Sequence, residues 1–476
     1  MGIGRSFACP HVIQHQFYYK HMTSHLKIIF IFFFFFFLVL DIISAQGKNV
    51  YSCNIGIADI TPENHVVLAG FAARKGLSTS VQTHLYSHCL VIRSPKGEKV
   101  CIITNDMMEL DIDETSDMRE SIASQTGLPV NHIFMHNIHT HSAPRTGGSS
   151  AVPGGSNYKY SITYDKIIVN NAVKTIQDEN NYKRFLMEFG NTTCAINMNR
   201  GEKNGPCTHD VYVLRLIGLD NKPIVSLVNY CCHPVCLGPG SHVVSADFPG
   251  FETKFLKEAW GGEVFHFTSA SGNVDPIGGP QRDTLNSYRK GKMMADSILL
   301  KMKFHKIKMN KDFKVCCMEA RLPFRINHIT PDSIMRFAQS IIDNPVEVSP
   351  TWKRDVLNWS HQMVERYKLG KIHDYLPVEI AAVNIGGFPI LFTQGEPFNE
   401  YDVQLRREIN KPMLFVAYTN GQNSYLPSAH AYLTPYYAYE KDQMFVYVKS
   451  PYPLSDKFPK VYSKALYDIV EKSLKK

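Results

Sequence analysis

Six apolar, strand-like runs in this chain stop at a polar side chain set beside a small or turn-forming residue. They end at Asp106, at His139, at His233 in "CCHPVCLGPG", at Asn273 and Asp275 in "SGNVDP", at Glu396 in "TQGEPF" and at Tyr425 in "NSYLP". Helical patterns separate several of them, and strands alternating with helices define an α/β chain. If the runs share a sheet and a direction, their ends converge on one crevice, where such folds keep their chemistry.

The local patterns are legible. "HCLVIRS" and "VCIITND" are neighbouring strands joined by the turn "PKGE". A helix runs from Asp113 to Ala123, with acids in its first turn and "TGLP" as its stop. "KPIVSLVNYCCHP" is an apolar strand ending at a histidine. "GFETKFLKEAW" is a helix stopped by Gly261 and Gly262, and "EVFHFTSASGNVDP" is a strand followed by a turn. A polar helical region spans Pro331 to Leu369. Strands return at "VEIAAVNIGGFPILFTQGEPF" and "PMLFVAYTNGQNSYLP", and Leu466, Ile469 and Val470 mark an amphipathic closing helix. No internal domain boundary is evident.

"NIHTHSAP" places His139 and His141 two residues apart after the apolar run "HIFMHNI". In an extended chain alternate side chains share a face, so both imidazoles lean toward one point. Two ligands do not complete a zinc shell. His139, His233 and Glu396 together make a two-histidine, one-carboxylate set that leaves a position open for water. Each also has a plainer reading. His233 before a proline suits a hydrogen-bonded core histidine, Glu396 can pair with Arg406 or Arg407 on the following helix, and Tyr425 suits the core.

The 476 residues carry 51 basic against 43 acidic side chains, a net charge of +8 with no basic block. That mild excess suits a peripheral association with anionic membrane surfaces and not nucleic acid. Ile28 to Leu40 is apolar throughout, too short for the roughly 20 residues that span a bilayer, and is framed by Lys27 and by Ser44 and Ala45. It reads as a signal peptide over residues 1–45 cleaved after Ala45, with Met22 as an alternative start; an uncleaved anchor is the competing reading. The expected location is therefore secreted or lumenal, or at the cell surface. Eleven cysteines are present and only Cys9 precedes the cleavage point, so ten remain for disulfides in an oxidising compartment. Cys231, Cys232 and Cys236, and Cys316 and Cys317, are closely spaced, but no CxxC pair suggests a cysteine zinc site. The sequons at Asn191 and Asn358 fit a glycosylated lumenal protein.

From "YSCNIGIADIT" onward the chain resembles the catalytic domain of the neutral/alkaline, non-lysosomal ceramidases. The match runs through nearly all of residues 50–475, in the family's order. "IGIADITP" resembles its opening strand and "NIHTHSAPRTGG" its His-Thr-His-Ser-Gly-Pro-Gly-Gly segment. "MNRG", "HDVYVLRL", "NYCCHPVCLGPGSHVVSADFPG", "TQGEPF" and "NSYLPSAHAY" resemble later motifs. The resemblance implies a mixed β-sheet core flanked by helices, with a zinc site at strand ends, over residues 46–476. It implies His139, His233, Glu396 and Tyr425 as ligands of Zn2+, His141 as the proton-handling histidine and Arg200 as the cation that polarises the scissile carbonyl. Tyr437, placed by its spacing after Tyr425 and flanked by Tyr436 and Tyr439, is a further donor. The implied reaction is hydrolysis of ceramide by a zinc-bound hydroxide to a sphingoid base and a fatty acid. Two alternatives stay open: a related zinc hydrolase acting on another amide or ester, and a catalytically silent binding protein. The chain departs from the pattern at Gly272-Asn273-Val274-Asp275-Pro276, where Asp275 replaces a small neutral residue beside the site. An acid there bears on how substrate hydroxyls are read and favours a more polar substrate. Arg145 and Thr146 displace the paired glycines, and the immunoglobulin-like domain of many relatives is not expected here.

Overall fold

The computed structural model describes residues 50–147, 155–344, 350–421, 423–448 and 450–475. The leader segment lies outside the described residues. Tyr51–Lys476 forms one compact unit. Among the described residues no helix is long and apolar enough to cross a membrane.

Two sheets stack face to face. The larger contains β1 (Ser52–Asp59), β2 (Tyr86–Arg93), β3 (Lys99–Asn105), β4 (Ile133–Asn137), β5 (Lys183–Thr193), β6 (Asp210–Gly218), β7 (Pro223–Tyr230), β8 (Glu263–Thr268) and β9 (Lys303–Lys306). Its order is β8-β7-β6-β5-β1-β2-β3-β4, with β9 on β5. The pairs β3–β4 and β7–β8 are parallel and the rest antiparallel. The smaller sheet is β10 (Lys314–Pro323), β11 (Tyr375–Ile385), β12 (Phe388–Thr393) and β13 (Leu414–Val416), in chain order. This is the mixed α/β core expected from the alternation of strands and helices.

The continuous apolar runs have a simple cause. In "CLVI", Leu90 and Ile92 enter the core between the two sheets, while Cys89 and Val91 enter a second core under helices. A strand buried on both faces cannot alternate with polar residues. The outer cover of β1–β4 is α1 (Ile112–Thr126) and α2 (Tyr164–Gln177), and that of β6–β8 is α3 (Asp247–Trp260) and α4 (Leu285–Lys301). The smaller sheet is covered by α5 (Pro331–Ile342), α6 (Pro350–Lys368), α7 (Asn399–Ile409) and α8 (Phe458–Leu474). The result is four layers, helix–sheet–sheet–helix. α1 starts on the Asp111 side chain and stops at Gly127, whose left-handed backbone (φ 73°) closes the last turn.

The strands that end at the candidate residues do not share one sheet. β3, β4, β7 and β8 belong to the larger sheet, whereas β12 and β13 belong to the smaller. Their ends meet because the larger sheet curls back on itself. β5 joins β1 through only two residue pairs, and edge strand β8 returns to edge strand β4. There Thr268 N donates to His136 Nε2 at 3.2 Å and Thr268 Oγ1 donates to the Ile138 carbonyl at 2.7 Å. The smaller sheet is tied on by Ala417 N, which donates to the Thr268 carbonyl at 3.1 Å.

The expected disulfides are not formed: the ten cysteines beyond the leader are all free. Most are buried as small apolar side chains. Cys316 and Cys317 are adjacent on a strand, so they face opposite cores and cannot bridge. Cys89 and Cys101 approach to 3.5 Å between sulfurs across β2 and β3 without bonding. Asp106 is a second correction. Its carboxylate accepts from Tyr86 N at 2.9 Å and lies 3.9 Å from His88 Nε2, so it is spent on β2.

Two measurements test this layering. Phe134 and Phe392 stack at 4.4 Å and 4° between the sheets. Phe392→Ala is expected to cost about 3–5 kcal/mol in urea unfolding, the usual cost of an emptied aromatic core position. Burial raises the Asp106 carboxyl to about 7. The folded chain then holds a proton that the unfolded chain releases above about 4, so this group makes stability fall as pH rises from about 4 to 7. Asp106→Asn is expected to flatten that slope in unfolding titrations at pH 5 and pH 8.

Candidate metal centre

His139 lies two residues beyond β4, and its backbone is left-handed (φ 70°). The pair in "HTH" therefore does not converge because the chain is extended. The bend at His139 turns both rings inward. The ring centroids of His139 and His141 lie 5.1 Å apart, those of His139 and His233 4.9 Å, and those of His141 and His233 6.0 Å. One ring nitrogen from each of the three falls within 4.8 Å of the others, a group able to hold a metal ion.

Glu396 enters from the smaller sheet's side. Its Oε2 lies 3.0 Å from His233 Nε2 and 3.3 Å from His139 Nε2. Both histidines are pinned from behind by backbone carbonyls. His139 Nδ1 donates to the Met108 carbonyl at 2.9 Å, and His233 Nδ1 donates to that of Ser271 at 2.7 Å. A carbonyl only accepts, so each Nδ1 carries a hydrogen, and in the neutral rings each Nε2 turns a lone pair toward the carboxylate. Three acceptors facing one another need a proton or a cation between them. The spacing suits a cation: donors about 2.0–2.1 Å from a tetrahedral zinc stand roughly 3.3 Å apart. The Nδ1–carbonyl bonds are the support that metal-binding histidines ordinarily have. The residues present therefore fit a divalent metal.

The electrostatics agree. Burial alone would raise the Glu396 carboxyl, but His139 and His233 reverse this and hold it well below the usual carboxylate range. Burial alone would lower His139, and the charge of Glu396 raises it instead. His141 is pushed well below its ordinary value, first by burial and then by the charges of His139 and His233. Neither nitrogen of His141 has a hydrogen-bond partner among the described residues. Its place is set by its surroundings. Arg74 Nη1 donates to the His141 carbonyl at 2.7 Å, and the Phe71 ring meets the imidazole at 4.9 Å. Gly70, with φ 93°, leaves no room for more: an added Cβ would come within 2.3 Å of the His141 ring.

The other site residues are brought close in varying degrees. Tyr425 pairs in register with Glu396 through a short parallel ladder, and the Arg200 guanidinium lies 5.2 Å over its ring. Arg200 Nη2 also donates to Glu440 Oε1 at 2.9 Å, and Arg200 Nη1 lies 3.6 Å from Asp275 Oδ1. Burial would lower the Arg200 guanidinium, but Tyr425, Asp275 and Glu440 drive it the other way, so it stays charged. Asp275 Oδ1 is 3.8 Å from His233 Nδ1 and has no hydrogen-bond partner. Tyr437 is tied to the residue before Arg200. Its hydroxyl donates to Asn199 Oδ1 at 2.9 Å, whereas Tyr439 feels the charges of Arg200, Glu396 and Glu440. Of the two alternative partners for Glu396, Arg406 pairs with Asp402 at 2.6 Å, and Arg407 is exposed whereas Glu396 is buried.

Glu440 and Tyr418 were missed in the sequence, where Tyr439 entered only as a neighbour of Tyr437. Glu440 and Tyr439 sit in a short helix, Ala438–Asp442, with no strand pattern to mark them. Tyr418, two residues beyond β13, obeys the same strand-end rule that picked out His139.

The arrangement defines a four-layer α/β fold with a histidine–carboxylate cluster, able to hold a metal ion, where its two sheets meet. No family model and no curated protein sequence matches the chain. Solved structures do. A ceramidase complexed with C2 superposes with a TM-score of 0.64 at 14% identity, covering 89% of this chain and 75% of that one. The neutral ceramidase from Pseudomonas aeruginosa gives 0.63 at 14% identity, covering 89% and 74%. The chain has the fold of the neutral ceramidases.

Gly70→Ala tests how the site is built. The added methyl is expected to push the His141 ring out of the cluster while leaving His139 and His233 in place. Imidazole NMR resonances that shift for His141 alone would bear this out.

Proposed function

We propose that the chain is a zinc-dependent hydrolase that N-deacylates ceramide, or a closely related N-acyl amphiphile, to a sphingoid base and a fatty acid. One observation carries the reading: two carbonyl-pinned imidazoles converge on the Glu396 carboxylate, with a third, unpartnered histidine beside them. The fold shared with ceramidases supports it. His139, His233 and Glu396, with Tyr425 beside them, would hold the metal. Zinc, when bound, polarises carbonyls and lowers the pKa of coordinated water to about 7.

The chain's own groups supply the rest. His141 is neutral at physiological pH because burial and its charged neighbours disfavour a further proton. With both nitrogens unengaged it can accept a proton from attacking water and return it to the leaving amine. Arg200 is a permanent cation in a partly buried setting, suited to stabilising negative charge on the carbonyl oxygen. Glu440 fixes the guanidinium, and Tyr439 stands near enough to Arg200 and Glu396 to feel both charges. Tyr437 acts at one remove, through Asn199.

Asp275 favours a second reading of the substrate. Its Oδ1, which makes no hydrogen bond among the described residues, is an acceptor set between Arg200 and His233. A substrate with an extra hydroxyl or amine near the scissile bond would satisfy it, so an amide more polar than ceramide fits this corner. The leader-like N-terminus supports action outside the cell or at its surface, and the mild positive charge supports contact with a membrane that holds the substrate.

A panel of N-acyl substrates, assayed with and without chelator, tests the proposal. Chelation is expected to abolish turnover and added Zn2+ to restore it. His139→Ala and His233→Ala are each expected to lose both metal and activity. His141→Ala should keep most of the metal and lose at least about 100-fold in kcat, the usual scale for a general acid–base group. Full activity in His141→Ala would refute its role.

A further inference from the structure

Tyr418 reaches the segments that carry or support three of the proposed metal ligands, His139, His233 and Glu396. Its N donates to the Gly395 carbonyl at 3.2 Å, one residue before Glu396. Its carbonyl accepts from Asn137 N at 3.1 Å, two residues before His139. Its hydroxyl pairs with Ser271 Oγ at 2.7 Å, and the carbonyl of Ser271 is the acceptor that pins His233. The ring itself lies 4.4 Å from the His139 imidazole and meets that of His233 edge-on at 6.0 Å and 80°.

The backbone at Tyr418 is left-handed (φ 52°). A bulky residue holds that conformation only where its surroundings over-determine it, and such positions gather at functional sites. Here the surroundings are the ends of β4, β8 and β12, drawn from two sheets. Among the described residues the backbone pairs across that junction only as an isolated bridge, His136 with Thr419, so side chains and loop hydrogen bonds must help set its register.

We propose that Tyr418 is a positioning residue that locks the His139, His233 and Glu396 segments into one metal-binding geometry. This rests on the metal reading above and adds to it a group that touches neither metal nor substrate. The hydroxyl ties the carbonyl support of His233 to the ring that backs His139, so the two imidazoles cannot rotate independently. Groups that orient metal ligands in this way typically control metal affinity by 10–100-fold.

The test uses the full chain as wild type, Tyr418→Phe, Tyr418→Leu and Ser271→Ala, titrated with Zn2+ against a chelator and loaded with Co2+ for visible spectra. Tyr418→Phe keeps the ring and loses the Ser271 tie, and is expected to raise the Zn2+ Kd about tenfold. Ser271→Ala should match it, and the double variant Tyr418→Phe/Ser271→Ala should be no weaker than either alone. Tyr418→Leu should approach a hundredfold loss and shift the Co2+ bands, which report ligand geometry and not fold stability. Wild-type Kd and unshifted bands in all variants would overturn the assignment while leaving the metal site standing. A wild-type protein that binds neither ion would overturn the metal reading, and this assignment with it.

Discussion

The contact on which the site depends is the meeting of one carboxylate oxygen with two imidazole nitrogens. Glu396 Oε2 stands 3.0 and 3.3 Å from His233 and His139, and the far nitrogens of both rings are spent on main-chain carbonyls. Buried acceptors do not gather in this way without a proton or a cation among them. The carboxylate arrives from one sheet and the imidazoles from the other. The sandwich, the curl of the larger sheet and the left-handed turns at His139 and Tyr418 are thus all conditions of that one contact.

Around it the site separates into groups whose hydrogen bonds are satisfied and groups whose hydrogen bonds are not. Arg200 is matched by Glu440 and approached by Asp275, so its charge is anchored. Among the described residues His141 and one oxygen of Asp275 have no hydrogen-bond partner. Unsatisfied buried polar atoms are costly, and where they cluster they mark where a ligand makes its bonds. His141 faces the metal group and suits proton transfer. Asp275 sits on the Arg200 side and, on the proposed reading, suits recognition of a hydrogen-bond donor on the substrate.

The unbridged cysteines follow from the same packing. Most of their side chains are enclosed by the cores on either side of the sheets, where a thiol behaves as a small apolar group. Even numbers and close spacing suggested bridges, but adjacency along a strand sends neighbours to opposite faces, as at Cys316 and Cys317. The framework holds through apolar layers, with Phe134 stacked on Phe392 at their centre.

Much of the site was legible in the sequence because strand ends carry local signatures. An apolar run that halts at a polar residue and a turn is visible without any tertiary information, and it located His139, His233, Asp275, Glu396 and Tyr425. The helix ending at Gly127 and the hairpin of β2 and β3 were readable for the same reason: caps and turns are set within a few residues. Tyr418 and Glu440 escaped because their meaning lies in partners far along the chain, Ser271 and Arg200. The direction of Asp106, the choice between Tyr437 and Tyr439, and the division of the strands into two sheets depend on how side chains and layers pack. Sequence alone determined which residues stand at strand ends, since that depends on local backbone preference and hydrophobic pattern. Only the tertiary structure decided which of those ends meet, because the meeting depends on the curl of one sheet and the stacking of a second, and neither leaves a local trace.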